Sequence, residues 1–302
     1  MPFSPLRPQL SQASARLTHD VDVVDERGRR SVIAIPAERA LTVYVDKREL
    51  VTLMTLGGAP EALTLGYLRN QRLVRSIGDI ASVQVDWSVD AVAVVTRHGI
   101  ADVEQRTSKK VVTTGCGQGS VFGGLMDEIE QIALPPAARL RQSVVYKIVD
   151  LIRTQNSIYK QAGSVHGCAL FSNQGELIYF FEDVGRHNAV DAIAGRMWLD
   201  DVDGADKVFY TTGRLTSEMV MKGAQMGIPF LLSRSGTTQM GHMVAERVGM
   251  SLLARCSGKH FLLLTGGDRL QFEPQLFEPP LPEPQLDLQP APPLRDPAAR
   301  PA

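Results

Sequence analysis

Cys116 sits among three glycines in the stretch Thr113-Thr114-Gly115-Cys116-Gly117-Gln118-Gly119-Ser120. Glycines on both sides let the backbone turn sharply and leave a thiol uncovered. A β-branched run over 111–114 leads in, and a helix is predicted over 121–134, stopped by Pro135-Pro136. A helix N-terminus directly after a cysteine favours the thiolate, the form that attacks sulfur. The same eight residues also fit a glycine-rich surface turn that happens to hold a cysteine, because a single cysteine is a weak motif.

Three further segments share a composition suited to anions. They are Glu182-Asp183-Val184-Gly185-Arg186-His187-Asn188, Thr211-Thr212-Gly213-Arg214-Leu215-Thr216-Ser217-Glu218 and Ser233-Arg234-Ser235-Gly236-Thr237-Thr238. Each follows a predicted strand, precedes a predicted helix, and carries a Gly, an Arg and small hydroxyl or amide groups. If the strands are parallel, the three loops lie at one sheet edge, where open α/β sheets bind ligands. Helix N-termini offer free N–H groups and Arg adds a bidentate contact, so the ligand expected is phosphorylated or nucleotide-like. Each loop also fits plain helix capping, by Thr216 or Ser217 ahead of Glu218 and by Thr238. No segment matches the P-loop or the G-x-G-x-x-G fingerprint, which argues against ATPase and dinucleotide dehydrogenase chemistry.

The remaining reactive side chains are less informative. His187, near Asp183 and Glu182, fits a general base held by a carboxylate, or a loop histidine that only hydrogen-bonds. His166 and Cys168 point the same way from one strand, and Ala169, Leu170 and Phe171 make Cys168 a core residue. Cys256, between Arg255 and Ser257-Gly258-Lys259, is expected to be exposed near positive charge. No H-x-E with P-C-x-x-C is present, so a zinc deaminase site is absent, and no metal site is expected.

The elements that must position these residues alternate in the second half. Helices are predicted over 139–153, 188–198, 217–226 and 239–248, and strands over 165–172, 177–181, 207–212, 229–233, 251–254 and 260–265. That alternation argues for an α/β layered domain with a partly parallel sheet. The first half reads as strands over 21–24, 31–35, 41–45, 80–85 and 91–96, with one helix opened by Pro60. Residues 1–18 read as a loose leader. Residues 273–302 hold 10 of the 18 prolines and read as a disordered or extended tail. The division expected is 1–18, a strand-rich subdomain over 19–135, an α/β core over 136–272, and the tail over 273–302.

At 302 residues with 44% hydrophobic and 22% charged side chains, the composition is that of a soluble globular protein. The formal net charge of -1 gives no global field toward nucleic acid. Three widely spaced cysteines fit neither a disulfide framework nor a zinc spacing and suit a reducing compartment. No apolar run is long enough to span a membrane and the N-terminus lacks a signal-peptide core, so a cytoplasmic location is expected.

Together these segments resemble the FdhD family, the formate dehydrogenase accessory sulfurtransferases. The run Glu182-Asp183-Val184-Gly185-Arg186-His187-Asn188-Ala189-Val190-Asp191 carries most of the likeness. Thr212-Gly213-Arg214, Ser217-Glu218-Met219-Val220, Lys222, Gly227-Ile228-Pro229-Phe230, Ser233-Arg234-Ser235, Gly163-Ser164-Val165-His166 and Thr114-Gly115-Cys116-Gly117 add to it in consistent order. The resemblance implies a cytidine-deaminase-like three-layer α/β/α core without the zinc site, plus a smaller strand-rich α/β subdomain. It implies a persulfide on Cys116, taken from a cysteine desulfurase and passed to molybdenum bis(molybdopterin guanine dinucleotide) before that cofactor enters formate dehydrogenase. It implies no tightly held cofactor of the protein's own, a homodimer, and no nucleic-acid or membrane partner. Cofactor contacts would come from Arg186, His187, Thr212, Gly213, Arg214, Ser233, Arg234 and Ser235. A C-terminal segment, Phe261, Leu262, Leu263, Leu264, Thr265 and Gly266, would add to them.

This chain departs from the family pattern at three places. Gly119 stands where a second cysteine of Cys-x-x-Cys is common, Ala192 replaces a lysine, and Gly236-Thr237 replaces Ala-Pro. The missing second cysteine leaves an alternative open, a chaperone that binds the guanine dinucleotide without moving sulfur. A hydrolase using His187 and Asp183 on a nucleotide is a third reading.

Overall fold

The computed structural model describes residues 7–99 and 132–276. Cys116 and its loop lie outside the described residues, as do the tail from 277 and the expected helix up to 131.

The first half forms β1 (Gln9–Leu10), β2 (Thr18–Val24), β3 (Arg30–Pro36), β4 (Arg39–Val45), β5 (Arg48–Thr55), α1 (Pro60–Asn70), β6 (Ile80–Asp86) and β7 (Ala91–Thr96). β2 and β3 make a separate hairpin, and the others form a five-stranded sheet in the order β1-β6-β7-β4-β5. β1 lies within the stretch whose composition suggests a loose leader. Its anchor is polar: Ser11 Oγ and the Ala13 amide both donate to Glu61 Oε1 at 2.6 Å.

The second half contributes β8 (Leu140–Arg141), α2 (Gln142–Thr154), α3 (Ile158–Ala162), β9 (His166–Ser172), β10 (Leu177–Asp183), α4 (Arg186–Asp200) and β11 (Lys207–Thr211). It continues with α5 (Ser217–Gln225), β12 (Phe230–Ser233), α6 (Gln239–Val248), β13 (Ser251–Ser257), β14 (His260–Thr265) and β15 (Leu270–Gln271). Six strands form one sheet in the order β10-β9-β11-β12-β13-β14.

Strand alternation divides that sheet into two apolar faces. Cys168, Leu170, Phe209, Leu231 and Leu252 face α4, α5 and α6. Ala169, Phe171, Val208, Tyr210, Phe230, Leu232 and Leu253 face Val144, Val145 and Ile148 of α2. The i, i+4 spacing of those α2 residues supplies the stripe that meets the sheet. The result is a mixed α/β fold with helices on both faces of the larger sheet.

α4 serves both sheets. Its Ala189, Val190 and Ile193 enter the core of the six-stranded sheet, while Ala192 and Leu199 join α1 over the five-stranded one. α1 is therefore sandwiched, and all of its residues except Arg69 are buried. The two helices cross at glycine: a Cβ on Gly66 would stand 1.7 Å from the Asp191 carbonyl oxygen, and one on Gly195 1.9 Å from that of Ala62. This crossing ties the subdomain and the core into one compact unit through residue 272.

Candidate functional site

β10, β11, β12 and β13 all run the same way, because β9 lies antiparallel between β10 and β11, and β11, β12 and β13 pair in parallel. Their C-terminal ends, Asp183, Thr211, Ser233 and Ser257, share one edge of the sheet. The first residues of antiparallel β9 and β14, His166 and His260, arrive at the same edge. The three Gly- and Arg-bearing loops all leave from it.

Hydrogen bonds stitch the second and third loops together. Ser233 Oγ donates to the Gly213 carbonyl at 2.6 Å and accepts from the Ser235 amide at 2.9 Å. The Arg234 amide donates to the Thr211 carbonyl at 3.1 Å. Thr212 and Gly167 exchange two bonds of 3.0 Å, one through the Thr212 hydroxyl. The first loop closes on the second through Arg186, whose side chain lies over Gly213. A Cβ on Gly213 would come 3.0 Å from Arg186 Cδ, so a larger residue here would push the arginine side chain aside.

The edge is electropositive. Arg214 and Arg234 are exposed and Arg186 is half-buried. His166 is held below its ordinary imidazole pKa by burial first, and then by Arg186 and Arg214. It is therefore neutral at neutral pH, within the field of both arginines. Thr238 caps α6 by accepting from the Gly241 amide at 3.2 Å. α4 and α5 start without a side-chain cap, so their N-terminal dipoles face the same edge.

His187 is buried on the first turn of α4. Burial above all, and then Lys222, Arg186 and His166, push its pKa down to about 2. It is a neutral imidazole with Nε2 3.4 Å from Glu218 Oε2. The carboxylate beside it is thus Glu218, on α5, and neither of the nearby acids in its own loop. Asp183 accepts from Thr55 Oγ1 at 2.5 Å, the Leu56 amide at 3.0 Å, the Gly185 amide at 3.0 Å and Asn188 Nδ2 at 2.8 Å. Glu182 accepts from the Ile158 and Tyr159 amides. Both carboxylates hold the fold, which removes the His187–Asp183 pair that a hydrolase would need. One helical turn deeper, Lys222 Nζ pairs with Asp191 at 2.8 Å, and Asn70 donates to the same carboxylate at 2.7 Å.

The final strand meets the edge only at its start. β14 begins there at His260 and runs away, so Thr265 lies roughly 16 Å along the strand from it. Thr265 Oγ1 donates to the Met250 carbonyl and accepts from the Leu252 amide, and Ser251 Oγ donates to the Gly266 carbonyl. Leu263 and Leu264 pack on opposite faces of the sheet, and Phe261 stacks near Tyr146 with ring centroids 6.0 Å apart. The edge instead receives the turn before this strand. Arg255, in the left-handed region at φ 53°, donates its amide to the Ser235 carbonyl at 2.8 Å, and Lys259 and His260 follow. A basic cluster around Gly258 between two strands was the signal for these residues.

Cys168 and Cys256 are both buried free thiols. Cys256, expected at the surface, is 1% exposed. The register shift between Ala254 and Ser257, with Arg255 in the left-handed region, turns it into the cluster of Leu253 while Arg255 and Ser257 stay exposed. Burial pushes both thiols up to about 12. Among the described residues no group of three or more His, Cys, Asp or Glu is placed to hold a metal ion, and no helix is long and apolar enough to cross a membrane.

The model of the FdhD/NarQ family matches residues 36–271. The sulfur carrier protein FdhD of Saccharolobus solfataricus is 30% identical over 232 residues, spanning 76% of this chain and 86% of that protein. The protein of the same name from Listeria innocua is 28% identical, spanning 78% and 91%. A crystal structure from Desulfotalea psychrophila, assigned as a formate dehydrogenase accessory protein, superposes with a TM-score of 0.69 at 23% identity, covering 84% of this chain and 98% of that one. The chain belongs to the FdhD/NarQ family.

Proposed function

We propose that this chain is a sulfurtransferase that carries sulfur as a persulfide on Cys116. The donor is a cysteine desulfurase. The acceptor is the molybdenum bis(molybdopterin guanine dinucleotide) substrate, before its insertion into formate dehydrogenase. In the loading step the Cys116 thiolate attacks the outer sulfur of the donor's persulfide. One S–S bond forms, another breaks, and the donor cysteine leaves as its thiolate.

The observation that carries the ligand half of this reading is the convergence of Arg186, Arg214 and Arg234 at one edge, beside the uncapped starts of α4 and α5. Such an edge suits the diphosphates of a guanine dinucleotide. Thr212, Gly213, Ser233 and Ser235 shape the loops, His187 backs them, and the Arg255 to His260 turn extends the cationic rim. The names of the relatives support the sulfur half. We read the six-stranded sheet with its helices as the deaminase-type core.

Intact-mass measurement after exposure to a desulfurase and cysteine tests the assignment. Wild-type protein gains the mass of one sulfur atom, removable by reductant, and Cys116→Ala gains none. An equal gain in both proteins sinks the role of Cys116. Gly119, in place of a second cysteine, favours a second reading, a chaperone that binds the guanine dinucleotide and moves no sulfur. Guanine nucleotide binding without any mass gain would select it.

A further inference from the structure

β10 is the terminal strand of the six-stranded sheet and pairs only with β9. Among the described residues no backbone hydrogen bond reaches its outer edge. A cavity of about 760 Å³ lies against that edge, within the size range of ligand pockets.

Phe180 and Phe181 both line the cavity. Consecutive side chains of a strand point to opposite faces, and these two do. Phe180 packs with the α2 cluster, and Phe181 packs with the clusters around α4 and α1. The cavity touches both rings and so lies along the open edge of the strand, where the Phe180 and Glu182 backbone groups face away from β9. Leu17, Leu56 and Ile158 complete apolar walls. The Glu182 carboxylate also lines the cavity but is occupied by the Ile158 and Tyr159 amides. Lys160 is exposed at the rim, with no ion-pair partner among the described residues.

We propose that this groove docks an extended peptide segment of a partner protein, which adds to β10 as a further strand, seats apolar side chains on both of its faces and sets a carboxylate on Lys160. An apolar small molecule would leave the N–H and C=O groups of that edge unmet, whereas an added strand pairs them. Most half-buried strands alternate apolar and polar residues. This groove, with an apolar wall on each side, calls for consecutive apolar residues followed by an acid. The docked segment ends beside the ligand loops, because Glu182 lines the groove and Asp183 begins the first loop. The inference stands without the sulfur-carrier reading.

The test uses the full chain and a fluorescent capped peptide, Thr-Val-Ile-Val-Asp, with two controls: the same peptide N-methylated at its central residue, and one ending in Lys. Gly167 of β9 bonds Thr212 on its other side, so Phe181 is the residue that pairs with Cys168, and the Phe180 and Glu182 amides face outward. Their exchange is fast in the free protein and slows on peptide addition, while Phe181 is protected throughout. N-methylation weakens binding about tenfold, as expected for one lost hydrogen bond in a desolvated site. Lys160→Glu weakens binding of the acidic peptide about fivefold, the size of a rim ion pair, and the Lys-ended peptide recovers it. Equal binding of the N-methylated peptide, or no slowing of the Phe180 and Glu182 amides, overturns the proposal. Protection of these two amides in the free chain at every concentration identifies an intramolecular occupant and overturns it too. Protection that grows with protein concentration alone identifies a second copy of this chain instead.

Discussion

Three arginines share a sheet edge with His166, and His187 lies buried just behind it; burial lowers the pKa of both imidazoles. The separate effects of these groups are measurable because Arg214 and Arg234 are exposed and add little to stability. Arg214→Ala or Arg234→Ala should lower affinity for GDP, used as a calorimetric probe, about tenfold. The urea midpoint should stay in place. Unchanged affinity would remove that residue from the ligand site. His187 acts on stability. Its folded pKa of about 2 lies below the ordinary 6.5, so below pH 6.5 the unfolded chain takes up a proton that the folded chain refuses. The stability is present above pH 6.5 and falls as the pH drops toward 2, by up to about 1.4 kcal/mol per pH unit. His187→Gln, compared with wild type by urea unfolding between pH 6.5 and 5, should flatten that slope. Parallel pH profiles would contradict the buried neutral imidazole.

At the scale of elements, the α1–α4 crossing sets the position of the first ligand loop. Gly66→Ala and Gly195→Ala force a methyl into a backbone carbonyl, and each should cost about 3 kcal/mol or more. Gly236→Ala meets open space and should be nearly neutral. Thermal unfolding of the three variants decides it, and a mild Gly66→Ala would mean that the helices can part freely. The strands and helices around the ligand edge were legible in the sequence, because their apolar periods are strong and Gly-Arg loops punctuate them. β5 was not. The hairpin that feeds it turns at Asp46 and Lys47, both with positive φ (48° and 70°), where Asn-Gly is the usual signal. The end of β13 was cut short for the same reason, since Arg255 takes a left-handed conformation that its side chain does not announce. Which acid meets His187 was also illegible, because Glu218 comes from another helix and only the packing of α4 on α5 brings it there.

At the scale of the whole molecule, polar anchors hold the two sheets in register. Asp183 takes hydrogen bonds from Thr55 and Leu56 at the end of β5 as well as from its own loop. Asp183→Ala leaves those donors buried and unmet and should lower stability by about 3 kcal/mol. Thiol accessibility is a second global property. In the native state, Cys168 and Cys256 should resist iodoacetamide at pH 8, and both should react in denaturant, as read by peptide mass. Rapid native labelling of either would contradict its burial.

Those two sealed thiols also bear on accounting for cargo. A protonated sulfhydryl without solvent contact neither intercepts a passing sulfane sulfur nor forms a mixed disulfide with a neighbouring chain. Two of the three cysteines are thus silent, so on the proposed sulfur-carrier reading all sulfane sulfur on the folded chain sits at one position, and a loading assay reports on Cys116 alone.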